Sequence, residues 1–142
     1  MPYTDAPGFR MYYEEHGSGF PLLLINGLGS DHLEWLHQLP VFASHNRVVV
    51  FDNRGTGMTD VPPGPYTTAR MADDTASMLR VLGIPRAHVL GVSLGGMIAQ
   101  EVALRHPDLV DRLVLGCTGP GGKLSVRPSP EAMAAFALAK GE

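Results

Sequence analysis

An α/β fold, a mostly parallel doubly wound sheet, is what this chain of 142 residues predicts. Three observations carry the prediction. Short continuous apolar runs, such as Leu22-Leu23-Leu24-Ile25 and Val48-Val49-Val50-Phe51, read as strands buried on both faces. Between them lie stretches whose apolar residues recur at helical spacing. Strand-like and helix-like segments also alternate along the chain, as parallel strands joined by crossover helices do.

Residues 9–15 alternate and are rich in aromatics, which predicts an early strand, with His16-Gly17-Ser18-Gly19 as its turn. Phe20 leads into the apolar run at 21–25. Ser30 or Asp31 is placed to cap a helix carrying Leu33, Leu36 and Leu39. Residues 47–52 form the next buried strand, followed by the loop Asn53-Arg54-Gly55-Thr56-Gly57 and a proline-rich stretch at 61–65. Thr67 or Thr68 starts a helix with Met71, Thr75, Met78, Leu79 and Leu82 on one side, and Gly83 ends it. A strand at 87–90 and a helix at 97–105 follow, Pro107 stops that helix, and 111–116 is a further buried strand. Gly119-Pro120-Gly121-Gly122 breaks the pattern, and an alanine-rich helix at 130–140 closes the chain, with Met133, Phe136 and Leu138 as its large apolar residues. The expected division is a core at 1–122 and a separate segment at 123–142.

Composition narrows the function classes. Hydrophobic content of 44%, charged content of 18% and a net charge of −3 suit a globular protein and leave no basic stripe for nucleic acid. Cys117 is the single cysteine, so no intrachain disulfide framework or multi-cysteine metal site is available; at a strand end it reads as a small buried or pocket-wall residue. The N-terminus has no basic segment followed by an apolar one, and no apolar run is long enough to cross a bilayer. The expectation is a cytoplasmic protein with no membrane partner, no metal and no cofactor.

The segment Gly91-Val92-Ser93-Leu94-Gly95-Gly96 carries the chemistry. It joins a strand to a helix with serine at the apex, the arrangement of a nucleophile elbow. The apex residue of such a turn is held at positive φ, and side chains at Gly91 or Gly95 would collide across it. The hydroxyl is thereby exposed beside a helix N-terminus, whose partial positive charge favours a developing oxyanion. Asn26-Gly27-Leu28-Gly29 ends an earlier strand, which nominates the backbone N–H groups of Leu28 and Leu94 as an oxyanion hole. Gly27 and Met97 are the candidate substrate contacts. A dinucleotide reading of Gly27-x-Gly29 fails on its third glycine, where His32 stands. Asp52 and Arg54 read as residues that hold a tight loop, and Asp73-Asp74 as the solvated face of a helix. The six histidines show no metal-ligand spacing. His32 lies near the oxyanion loop. His106, at the far end of the helix that follows Ser93, is roughly 20 Å from its start and cannot serve Ser93 as a base.

These segments, with Arg105-His106-Pro107, stand in the order and spacing of the α/β-hydrolase superfamily, which the chain resembles over residues 9 to about 122. Within it, the chain looks like small bacterial esterase-like members, such as 3-oxoadipate enol-lactonases and the cofactor-free haloperoxidase relatives. The resemblance implies that Ser93 is the nucleophile and that Leu28 and Leu94 donate to the oxyanion. Asn26-Gly27 stands where the family usually has His-Gly. The family's acid and histidine come from later segments, so neither maps onto a residue here, and the sheet is expected to stop after about the sixth strand. The 130–140 helix resembles the start of the family's lid.

Three readings follow. The first is the N-terminal half of a serine hydrolase of carboxylic esters or lactones, working through an acyl-enzyme but nearly inactive alone. The second is a non-catalytic binding or oligomeric scaffold built on a truncated hydrolase. The third is an enzyme split across two chains. The strand at 111–116 has no later strand to pair with, and its open edge predicts a second copy or a complementing half as partner.

Overall fold

A computed structural model describes residues 2–5, 8–126 and 128–139. The described strands form one six-stranded sheet: β1 (Tyr3–Thr4), β2 (Met11–His16), β3 (Phe20–Ile25), β4 (Asn46–Phe51), β5 (Ala87–Val92) and β6 (Val110–Gly116), in the order β1-β2-β4-β3-β5-β6. β1 and β2 run antiparallel to their neighbours, while β4, β3, β5 and β6 are mutually parallel. The mostly parallel α/β sheet read from the apolar runs is therefore the fold. β1, only two residues long, lies ahead of anything the hydrophobic pattern marked.

Alternation along each strand sorts side chains between the two faces. Leu23, Ile25, Val49, Phe51 and Val89 point to the face covered by α2 (Thr68–Val81) and α3 (Leu94–Arg105), where Met71, Ala76, Leu79, Ile98 and Val102 complete the larger core. Leu22, Leu24, Val48 and Val50 point the other way, against Trp35 and the short α1 (Leu39–Ala43). α2 begins and ends on its sequence signals. Thr67 accepts the Arg70 amide at 3.1 Å as N-cap. At the other end Gly83, at φ +65, lets the Ile84 amide reach Leu79 O at 2.9 Å and its own amide reach Arg80 O at 3.1 Å, closing a Schellman motif. α4 (Pro130–Ala139) lies in the expected final helix, although Lys140 falls outside the described residues.

Several expectations are corrected. In place of one helix bearing Leu33, Leu36 and Leu39, a 3-10 turn at His32–Trp35 is followed by α1. Leu33 and Leu36 are exposed and Trp35 is the buried residue, its indole Nε1 donating to Asn26 Oδ1 at 2.9 Å. One hydrogen bond to a buried amide outweighs the leucine spacing. Of Asp73-Asp74, read as a solvated face, only Asp73 is partly exposed. Asp74 is buried and holds Arg54 through two hydrogen bonds of 2.5 and 2.7 Å, with only 3% and 5% of the two side chains exposed. Asp73 binds Arg105 and His106 at the end of α3. Cys117 is exposed, not buried, and sits at φ +47.

Candidate active site

β5 delivers the chain to Ser93, and α3 starts at the next residue. Ser93 takes φ 54 and ψ −119, a region that L residues enter only when the surroundings dictate it. The backbone bonds show what dictates it. The Ser93 amide donates to Gly116 O at 3.0 Å on β6, and its carbonyl accepts from Gly96 N, Met97 N and the Thr118 hydroxyl, the last at 2.7 Å. A serine at a helix N-cap ordinarily spends its hydroxyl on the first turn. Here the twisted backbone turns the side chain away, no cap bond forms, and Ser93 lies exposed with no hydrogen bond to its hydroxyl among the described residues.

The flanking glycines have separate reasons. A Cβ on Gly91 would lie 2.2 Å from Gly95 O, the collision across the turn that the motif implies. A Cβ on Gly95 would lie 2.1 Å from Ile25 O, so that glycine is required by close packing of α3 against β3. A third, Gly96, is held against Thr118, whose Cβ would be 2.6 Å away.

The Asn26–Ser30 loop lies against this turn. The position of a Cβ on Gly27 is 3.6 Å from Ser93 Cβ and 3.7 Å from Val92 O. Asn26 is fully buried, donating Nδ2 to Phe51 O at 3.0 Å and accepting from Trp35, so the residue standing where the family has histidine anchors the loop. The Gly27 amide is already engaged, donating to Glu34 Oε2 at 2.9 Å. The Leu28 amide makes no hydrogen bond among the described residues, and Leu28 itself is 70% exposed. Leu94 opens α3, where an amide has no intrahelical acceptor. Two uncommitted N–H groups thus follow two neighbouring residues, Gly27 and Ser93. Met97 borders a cavity of about 430 Å³ together with Gln100, Leu104 and Gly121, a cavity that runs along α3 and does not include Ser93.

Behind the loop is a polar cluster. Asp52, fully buried, accepts from the His32 amide at 2.7 Å and the Met58 amide at 2.8 Å, and His32 Nδ1 lies 2.9 Å from the same carboxylate. His32 Nε2 faces Glu14 Oε1 at 3.7 Å, and Glu14 also accepts from the Tyr12 hydroxyl at 2.6 Å. That hydrogen bond, with burial, pushes the Tyr12 phenol up to about 12. It is also the main reason the Glu14 carboxyl is held below its usual range. His32 is therefore committed to Asp52 and Glu14. Among the described residues no histidine hydrogen-bonds Ser93: His16 meets Glu14, His88 meets Asp111, and His106 meets Asp73. No group of three or more His, Cys, Asp or Glu among the described residues is placed to hold a metal ion. No helix there is long and apolar enough to cross a membrane.

Two residues that shape the site were not singled out from sequence. Trp35, the only tryptophan, carried a faint signal as a lone aromatic within a leucine stripe. Glu34 carried none, because only the tight 3-10 turn folds its carboxylate back onto Gly27.

Comparison with known proteins agrees with this architecture. The family model described as alpha/beta hydrolase fold matches residues 21–139. A putative carbamate hydrolase RutD from Azorhizobium caulinodans is 37% identical over 115 residues, covering 81% of this chain and 43% of that protein. The crystal structure of a hydrolase from Pseudomonas aeruginosa is 37% identical with TM-score 0.79, over 97% of this chain and 51% of that one. The enol-lactonase from Burkholderia xenovorans is 32% identical with TM-score 0.82, over 99% and 54%. The chain thus spans about half the length of the proteins it matches. Sheet order, the turn at Ser93 and the match over residues 21–139 together make this chain a member of the alpha/beta hydrolase family.

Proposed function

We propose that the chain is the nucleophile-bearing half of a cytoplasmic serine hydrolase acting on small carboxylic esters or lactones. The observation that carries this reading is the exposed, uncommitted hydroxyl of Ser93 at φ 54, beside the free amides of Leu28 and Leu94. In this mechanism Ser93 Oγ attacks the carbonyl carbon while a base takes its proton. The tetrahedral oxyanion sits between the Leu28 and Leu94 N–H groups, and its collapse expels the alcohol and leaves an acyl-enzyme for water to cleave. Gly27, beside Ser93, leaves room for the carbonyl, Met97 contacts the substrate, and the segment from residue 123 begins a lid. No histidine described here reaches Ser93, so the base and its orienting carboxylate are assigned to the other half of the enzyme, in the same polypeptide or a second one. Removing the base from a well-studied serine protease lowers kcat by on the order of a million-fold.

The test is fluorophosphonate labelling read by intact mass. The 142 residues alone are expected to hydrolyse p-nitrophenyl esters at background rate and to label negligibly. Supplying the second half is expected to give one label per chain, lost in Ser93→Ala. Labelling that survives Ser93→Ala overturns the assignment.

One observation favours a second reading, a non-catalytic oligomeric scaffold. β6 pairs only with β5 among the described strands, and its Leu113, Val114 and Leu115 are 37%, 53% and 43% exposed. A monodisperse dimer of the isolated chain, unreactive whatever is added to it, supports that reading over the first.

A further inference from the structure

We propose that Glu34 sets the charge preference of the site, favouring substrates that are neutral or cationic near the scissile carbonyl and disfavouring those with a second carboxylate. The inference rests on the reading of Ser93 as nucleophile and adds the class of substrate. Glu34 Oε2 accepts the Gly27 amide at 2.9 Å, while Oε1 lies 3.8 Å from the point where a Gly27 Cβ would be. Ser93 Cβ is 3.6 Å from that same point. The carboxylate and the serine thus both border the small volume beside Gly27.

The position is fixed by structure on both sides of it. His32 is held by Asp52 and Trp35 by Asn26, so the 3-10 turn between them has little freedom to swing Glu34 away. The charge is also uncompensated. No Lys, Arg or His among the described residues pairs with Glu34, and the nearby acids are otherwise engaged: Asp31 caps the Leu33 amide, and Asp52 is occupied by His32. Glu34 and Ser93 are both exposed, so the carboxylate acts on a charged group at Ser93 through water, where at low salt one unit charge changes rates severalfold and the ratio of cationic to anionic rates correspondingly more. It also opposes a developing oxyanion, and a cationic group on the substrate offsets that opposition.

The experiment reads the local potential without requiring catalysis. Ser93→Cys is made in a Cys117→Ser background, and the thiol is reacted separately with trimethylammonioethyl and sulfonatoethyl methanethiosulfonate at low salt. The ratio of the cationic to the anionic rate is expected to exceed that of N-acetylcysteine by about tenfold. Adding Glu34→Gln, which keeps an oxygen to accept the Gly27 amide, is expected to return most of that excess, as is 1 M salt in the Glu34 parent. A ratio unchanged by Glu34→Gln overturns the proposal. If that variant melts earlier than its parent, Glu34→Ala is measured as well, and an unchanged ratio there is equally fatal. Thiol exchange needs neither base nor oxyanion hole, so failure of the hydrolase reading would show in fluorophosphonate labelling and leave this ratio to be judged separately.

Discussion

Ser93 holds its conformation because its neighbours leave no alternative. Its amide is tied to β6 and its carbonyl to α3 and Thr118, so relaxing φ from 54 would break bonds on both sides. The glycines around it divide by what lies opposite. A methyl at Gly95 meets Ile25 O at 2.1 Å and must displace β3 or α3, whereas a methyl at Gly27 meets nothing nearer than 3.6 Å. Gly95→Ala is therefore expected to lower stability by roughly 3 kcal/mol or more, and Gly27→Ala by less than about 1 kcal/mol. Chemical denaturation of the two variants checks this, and equal losses would contradict it. The motif made Ser93, Gly91 and Gly95 legible without any structure. Glu34 and Asp74 were not, since a charged residue on a polar-looking segment carries no mark of the partner that folding brings to it.

α2 and α3 are joined by more than their apolar faces. Asp73 on α2 accepts from Arg105 Nη2 at 2.7 Å, and His106 Nε2 lies 2.7 Å away, so the end of α3 is clasped to the middle of α2. The Arg105 hydrogen bond is the main cause that holds the Asp73 carboxyl below its ordinary range. A carboxyl lowered in the folded state stabilises above its unfolded pKa of about 3.9 and loses that contribution as pH falls through the folded value. Acid melting between pH 5 and 2 should accordingly be shallower in Asp73→Asn, which forfeits the contribution at every pH, than in the parent. Thermal midpoints across that range check the sign, and parallel curves would dissociate Asp73 from acid stability. The side chain is 45% exposed, so the effect is small. At this scale caps were readable because they are local: Thr67 and Gly83 act within a few residues of themselves. The 3-10 turn was not, because Trp35 answers to Asn26 and Phe51, which reach it only through the sheet.

For the whole molecule the surface is telling. A compact monomer of 15.2 kDa exposes about 7,100 Å², and this chain exposes 8230 Å². Part of the surplus lies on β6, where Leu113, Val114 and Leu115 stand on an outer strand with the composition of an inner one, and part on the exposed stretch around Val126 and α4. Such an edge recruits a further strand. The isolated chain is expected to associate at tens of micromolar, and Val114→Lys, an edge charge of the kind natural sheets use, is expected to shift it toward monomer. Sedimentation velocity decides, and two monomeric samples would dissociate β6 from assembly.

What the sequence determined by itself was whatever depends on neighbours along the chain: the alternation of buried runs and helices, the caps of α2, and a strained turn that only small flanks permit. Those follow from sterics and hydrogen bonds spanning a few residues. Only the tertiary structure decided that Arg54 and Asp74 form a buried pair, that His32 is committed to buried Asp52, and that Trp35 is bonded to buried Asn26. These contacts join residues from separate strands, helices and loops. Their energy depends on the desolvation that burial imposes, and a linear pattern carries no record of which charges will be buried together.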